Sequence, residues 1–167
     1  MANLKTMLQQ IQTKLLAQAW PGGSAPAFGS GSVVISRYEP AKSLTSMRVP
    51  IAMIMPADWR ADPRFGEEPD FWSVRVVVRI IVAIPGDAIG QKPLVGANRP
   101  DATKSEGAGL LDLEQVVYTA IGKLNVADHA NFAIQFRQKG GAGGIHVDEV
   151  LWWEYQDLEF EAWVTAN

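Results

Sequence analysis

Residues 70–87, DFWSVRVVVRIIVAIPGD, hold the longest strand-like pattern in the chain. Successive side chains of a strand point to opposite faces, so this stretch divides into two sets. The first set is apolar throughout: Trp72, Val74, Val76, Val78, Ile80, Val82 and Ile84. The second set mixes arginine with apolar residues: Phe71, Ser73, Arg75, Val77, Arg79, Ile81 and Ala83. The pattern predicts a strand over residues 71–84 with one core face and a second face of mixed chemistry.

Two stretches show the helical spacing of apolar residues instead. The first predicts an amphipathic helix over residues 3–19, with an apolar stripe of Leu4, Met7, Leu8, Ile11, Leu15 and Leu16. The second predicts a helix over residues 110–124, with a stripe of Leu110, Leu113, Val117, Ala120, Ile121 and Leu124. Both helices therefore have one face to bury against a sheet.

Four further strands complete the predicted order α-β-β-β-α-β-β together with residues 71–84. A short strand is predicted in VVISRYEP, and a second over 47–58, where Pro50 and Pro56 indicate an edge or a bulge. Two closing strands are predicted around a glycine-rich turn, KGGAGGIHV, and in the last one Leu158 and Phe160 alternate with acidic residues. This order predicts an α+β fold, a mainly antiparallel sheet of about four to five strands with two helices packed on one face.

The connecting segments differ in composition from these elements. Residues 20–32 predict a flexible connector, 58–70 a charged turn, and 85–109 a long loop without periodicity. Structureless loops above about 12–15 residues are uncommon and are usually functional or disordered. We find no internal repeat, and we expect a single domain over residues 1–167.

Composition restricts the classes of function. The net charge of −3 argues against a protein that depends on binding phosphate backbones. The absence of cysteine excludes disulfides, thiolate zinc sites and cysteine catalysis. We find no secretory signal and no apolar run long enough to cross a bilayer, so we expect a soluble protein.

Candidate catalytic patterns are weak. His129 and His146 lack nearby metal-ligand partners, and KGGAGGIHV is not followed by the helix that a nucleotide-binding loop requires. The carboxylates of 58–70 are interleaved with arginine and proline, unlike a calcium loop. We therefore expect no enzyme activity, no cofactor and no metal. A small-molecule-binding or hydrolytic α+β domain, with tryptophans lining a pocket, stays open as a less favoured alternative.

The mixed face of the long strand suggests assembly. Arg75 and Arg79 have possible partners in Glu159 and Glu161, either within the sheet or across subunits. Val77, Ile81 and Trp163 would add apolar area that a monomer rarely leaves exposed. A strand of roughly 46 Å, at about 3.3 Å per residue, either bends or extends beyond its own subunit. We predict a subunit interface formed by Arg75, Val77, Arg79, Ile81, Glu159, Glu161 and Trp163.

Four segments carry a likeness to a known family: VPIAMIMPADW, FWSVRVVVRIIVAIPGD, GLLDLEQVVYTAIGKL and VLWWEYQDLEFEAWV. In their order and in the aromatic and acidic closing strand, the chain resembles the tail terminator, or tail completion, proteins of long-tailed bacteriophages. The likeness spans residues 1–165 as a pattern of elements rather than a fixed motif. The linker at 20–32 and the central loop are longer than in shorter family members.

The resemblance implies a homo-oligomeric ring, usually a hexamer, that caps the tail tube, stops its polymerisation and offers a joining surface to the head-side connector. DNA would pass through the lumen without specific binding, no membrane would be involved, and the protein would be assembled in the host cytoplasm and located in the virion. The long loop would become ordered on docking, through Gln91, Lys92, Leu94, Val95, Asn98 and Arg99. A head-to-tail neck or connector protein is the related alternative.

Overall fold

A computed structural model of the protein describes residues 2–21, 23–37, 50–61, 71–83, 109–122, 137–147 and 152–165. The helices are α1 (Ala2–Leu16) and α2 (Leu110–Gly122). The strands are β1 (Val33–Ile35), β2 (Ile51–Ala61), β3 (Phe71–Ala83), β4 (Arg137–Val147) and β5 (Trp152–Thr165).

The strands form one sheet in the order β1-β2-β3-β5-β4. Strand β1 runs parallel to β2, and all the other neighbouring pairs are antiparallel. The α+β class, the mainly antiparallel sheet and the order of the elements are therefore confirmed. Over the described residues the sheet has five strands, with the long strand β3 at its centre.

Both helices pack on one face of the sheet and close the main hydrophobic core. Helix α1 contributes Met7, Leu8, Ile11 and Leu15, and α2 contributes Leu110, Leu113, Val116, Val117, Ala120 and Ile121. The predicted core face of β3 is confirmed at Val74, Val76, Val78, Ile80 and Val82, and Leu158 and Phe160 of β5 lie beside it. Three predicted apolar positions cannot be compared. Ile84 and Leu124 lie outside the described part of the chain, and so does the side chain of Trp72.

Two helix boundaries are marked by different features, side-chain burial at the end of α1 and a hydrogen bond at the start of α2. Leu16 was predicted in the stripe of α1 but is 38% exposed. It is the last residue of α1, about 100° around the axis from the fully buried Leu15, so the two cannot share the inward position. At the start of α2, the backbone N–H of Gly109 donates to Asp112 Oδ2 at 3.3 Å, which satisfies a donor that the helix leaves unpaired.

The segment predicted as a flexible connector packs against the core. Trp20, Ala27 and Phe28 are at most 3% exposed. The backbone N–H of Trp20 donates to the carbonyl of Ala25 at 2.8 Å, and that of Ala27 donates to Gln18 at 2.9 Å. Gly31 has a φ of 84°, a left-handed conformation that glycine adopts without strain. A composition rich in glycine and proline thus forms a packed turn, anchored by two aromatic residues.

The glycine-rich sequence that we predicted as a turn is part of the edge strand β4. A Cβ on Gly144 would lie 2.7 Å from Tyr155 Oη, and one on Gly143 would lie 2.8 Å from Gln156 Oε1. The glycines are therefore sites where side chains of the neighbouring strand lie against the backbone, a positional role for glycine in strands. The turn prediction was wrong because glycine can either form a turn or make room for side chains of a neighbouring strand. The glycine-rich sequence alone does not distinguish these two roles.

Strand β2 continues further than its prolines suggest. The bulge is confirmed, since the register with β3 shifts between Pro56 and Asp58. However, β2 is not an edge strand over Ala52–Ile54, because β1 pairs with it there. Residues 58–61, predicted as part of a charged turn, continue the strand to Ala61, since the bulge absorbs one residue and the pairing with β3 resumes. Residues 62–70 lie outside the described part.

Candidate assembly surface

The face of the sheet opposite the helices carries most of the predicted interface. Because paired residues of neighbouring strands share a face, the register places the basic residues of β3 beside the acidic residues of β5. We call this set the charged face: Arg75, Arg79, Asp157, Glu159 and Glu161.

Arg79 is held firmly within its own chain. Its Nε donates to Asp157 Oδ1 at 2.6 Å, and its Nη2 donates to Asp157 Oδ2 at 2.7 Å. The side chains are 17% and 16% exposed, so the pair is largely shielded from water. The guanidinium also lies 4.3 Å from the centre of the Tyr155 ring. The hydrogen bonds to Asp157 raise the pKa of Arg79 above its ordinary value, although burial acts in the opposite direction.

Arg75 is more open to solvent. Its Nη1 lies 3.8 Å from Glu159 Oε2, and the two side chains are 51% and 36% exposed. Glu161, which lies opposite Arg75 in the register, accepts a hydrogen bond from Ser73 Oγ at 2.9 Å. For Arg75, the predicted attraction to the acidic residues of β5 is thus formed within one chain.

The partner of Arg79 was missed by sequence reasoning. We expected Glu159 or Glu161, but the register aligns Arg79 with Asp157. Asp157 alternates with Leu158 in the sequence just as the two glutamates do, so the pattern contained the signal. Only the pairing of β3 with β5 shows which acidic residue reaches which arginine.

Two apolar members of the predicted interface are already buried in the single chain. Val77 and Ile81 are 8% and 3% exposed. Ile81 belongs to a second hydrophobic cluster, in which Ile51 and Met53 are fully buried and Val34, Met55 and Tyr155 pack against them. Among the side chains that the structure describes on this face, those that a neighbouring subunit can reach are therefore chiefly the charged ones.

A row of alternating charges crosses the sheet at one level. In the register, Asp58 of β2 lies opposite Arg75 of β3, Arg75 opposite Glu161 of β5, and Glu161 opposite Arg137 of β4. We call these four residues the charge row. Sequence reasoning did not find it, because its members come from four strands whose order along the chain differs from their order in the sheet.

Several predicted residues cannot be placed in the surface. Trp163 lies opposite Ser73 in β5, but its side chain is outside the described part. The predicted docking residues are all outside it as well: Gln91, Lys92, Leu94, Val95, Asn98 and Arg99. His129 is also outside, and His146 lies in β4 opposite Trp153. These assignments stay predictions.

Two titratable groups lie away from the charged face. Burial raises the pKa of Tyr118 to about 12, with a further contribution from the hydrogen bond that its hydroxyl donates to Glu114 Oε1 at 3.0 Å. Burial also raises the pKa of Glu154 above its ordinary value. In the described residues, no group of three or more histidines and acidic residues is arranged to hold a metal ion.

Comparison with known proteins does not assign a family. No protein-family model matches the chain, and no curated protein matches it. Neither described helix is long and apolar enough to cross a membrane.

Proposed function

We propose that this protein is a structural virion component, a ring that caps the tail tube of a long-tailed bacteriophage. The ring would stop tube polymerisation and provide the surface that joins the tail to the head-side neck. Its partners would be further copies of itself, as a homohexamer, the tail tube protein and the neck protein. The proposal is supported by the resemblance in the order of elements and by the charged face.

The charged face is the observation that carries the proposal. Arg75 and Glu159 remain substantially exposed while forming an ion pair at 3.8 Å. Exposed pairs contribute only about 0–1 kcal/mol to folding. An ordered set of opposite charges is better suited to selecting and orienting a partner, because complementary potentials govern specificity and association rate more than raw affinity.

The arrangement of layers fits a ring in which the sheet faces one way and the helices the other. Helices α1 and α2 cover one face, while the opposite face presents paired charges. A chain with a net charge of −3 that lines a channel would let DNA pass without gripping its phosphates. The location would be the virion, at the junction of tail and neck, after assembly in the host cytoplasm.

The test is negative-stain imaging of the purified protein, alone and mixed with tail tubes that were made without it. We expect rings at the tube ends and an end to tube growth. Tubes that lengthen unchecked, with no added density at their ends, would refute the terminator role. Density on the head-side connector instead would assign the protein to the neck.

A variant pair links this test to the charged face. Arg75→Glu should abolish or strongly weaken ring formation. Because the change also places a carboxylate beside Glu159 and opposite Asp58 and Glu161, circular dichroism must show that the variant is folded before its rings are counted. Lys5→Glu makes the same change of charge on an exposed position of α1, in the helix layer, and serves as the matched control. Arg79→Glu is unsuitable, since it would also break the shielded pair with Asp157. Rings that form equally well with Arg75→Glu would remove the charged face from the proposal.

A further inference from the structure

The charge row ends with opposite signs at the two sides of the sheet. Asp58 lies at one end, on β2, and Arg137 lies at the other, on β4. Between them stand Arg75 and Glu161, so the signs alternate across all four strands. A second copy placed beside the first in the same orientation would bring its Asp58 next to Arg137 and continue the alternation.

The strand arrangement leaves both ends of the row at a side of the sheet. Strand β1 pairs only with Ala52–Ile54 of β2, so among the described strands none lies beside Asp58 on its outer side. Within the described part of the chain, β4 likewise pairs only with β5. The side of a strand that no other strand occupies is a template for another chain.

The strand directions are also compatible with such a contact. From β2 to β3, β5 and β4, each neighbouring pair is antiparallel, so β2 and β4 run in opposite directions. A copy in the same orientation would therefore set its β2 antiparallel to β4 of its neighbour. This is the pairing direction that the rest of the sheet uses.

We propose that copies of this chain associate head to tail, with Asp58 of one copy against Arg137 of the next. This inference rests on the proposed function, and it adds a contact between the sides of the sheet to the one that the charged face would make. A contact between two different surface patches closes into a ring when the rotation between copies permits, whereas a two-fold contact stops at a dimer. The occupant of each side is thus a second copy of this chain.

Charge exchange provides the first experiment. Asp58→Lys and Arg137→Glu should each weaken association about tenfold, since attraction becomes repulsion, as judged by sedimentation velocity over a concentration series. The double variant Asp58→Lys/Arg137→Glu should recover association, because the two charges of the contact are exchanged.

An equimolar mixture of the two single variants should recover association too. At one contact the introduced lysine of the first variant would meet the introduced glutamate of the second. At the next contact the unchanged Arg137 of the first variant would meet the unchanged Asp58 of the second. Failure of both recoveries would overturn the inference.

Cysteine cross-linking provides a second readout for weak association. The chain contains no cysteine, so introduced thiols are the only ones present. Asp58→Cys mixed with Arg137→Cys should form a disulfide between the two variants, with little linkage within either variant alone. The mixture is oxidised both in free solution and on tail tubes. The absence of the mixed disulfide in both conditions would overturn the head-to-tail contact.

The two proposals fail in different ways. Rings that cap tubes but form no disulfide between positions 58 and 137 would refute this contact and leave the terminator role standing. Head-to-tail cross-links without any capping of tubes would support the contact and refute the terminator role. Dominant linkage between two copies of Asp58→Cys would indicate a two-fold dimer and would contradict the inference.

Discussion

Arg79 and Asp157 form a two-pronged ion pair across β3 and β5, with N–O distances of 2.6 and 2.7 Å. The pair sits beside Tyr155, whose ring lies under the guanidinium and whose hydroxyl reaches across Gly144 of β4. One contact thus connects three adjacent strands of the sheet. In contrast, the neighbouring pair of Arg75 and Glu159 is more exposed and lies 3.8 Å apart.

The two ion pairs should differ in their effect on folding. Asp157→Ala should lower the free energy of unfolding by about 1.5–3 kcal/mol, because it leaves a shielded guanidinium without its charged acceptor. Glu159→Ala should cost less than about 1 kcal/mol, as is usual for exposed pairs. Urea unfolding followed by tryptophan fluorescence measures both. Equal losses for the two variants would contradict the distinction.

The two adjacent glycines of β4 should respond differently to alanine. Gly144→Ala places a Cβ within 3.0 Å of three atoms of the Tyr155 side chain, whose ring cannot bend away without leaving Arg79. We expect a loss of about 1–3 kcal/mol, typical of overpacking. Gly143→Ala is the matched control, since its Cβ meets chiefly the flexible end of Gln156. In thermal unfolding, the Tm of Gly144→Ala should lie well below the Tm of Gly143→Ala. The reverse order would contradict the role of Tyr155.

Tyr118 should make stability depend on alkaline pH. Its folded pKa is raised to about 12, above the unfolded value of about 10. The stabilisation it provides is therefore complete below about pH 10 and is lost as the pH rises toward about 12. In Tyr118→Phe this dependence should disappear, while the edge-to-face packing on Phe160, with ring centres 5.9 Å apart, can persist.

Tyrosinate absorbance and urea unfolding across this range check the prediction. The protein has three tyrosines, and the last to ionise should be missing in the Tyr118→Phe titration. An unchanged titration would show that another tyrosine is the shielded one.

Glu154 should make the free energy of unfolding depend on pH in the acidic range, and its charged form should lower stability at neutral pH. Burial raises the pKa of its carboxyl, so the charged form is less favourable in the folded protein than in the unfolded chain. Stability should then rise as the pH falls through the folded pKa toward the unfolded value of about 4.3.

The variant Glu154→Gln removes this charge. It should be more stable than the wild type at pH 7, and the advantage should vanish below about pH 4, where the wild-type carboxyl is protonated in both states. Thermal unfolding at several pH values measures the difference. A variant that is less stable at pH 7 would show that the carboxylate makes a compensating interaction.

Local patterns in the sequence were sufficient for the elements and their class. Period-two alternation located β3 and its core face, and helical spacing located α1 and α2, because burying one face of each element selects apolar residues at that period. Pro56 marked a bulge correctly, since proline cannot donate to the ladder of hydrogen bonds. These features depend only on residues close together in the chain.

Pairing between distant residues was decided by the tertiary structure alone. The packed turn of Trp20 and Phe28, the glycine-rich strand β4 and the partner of Arg79 all depend on which segments become neighbours. The charge row is the clearest case, because its four residues meet only when β5 is placed between β3 and β4. Composition and periodicity describe what a segment can bury, but register determines which side chains share a face, and a change of one residue would reverse it.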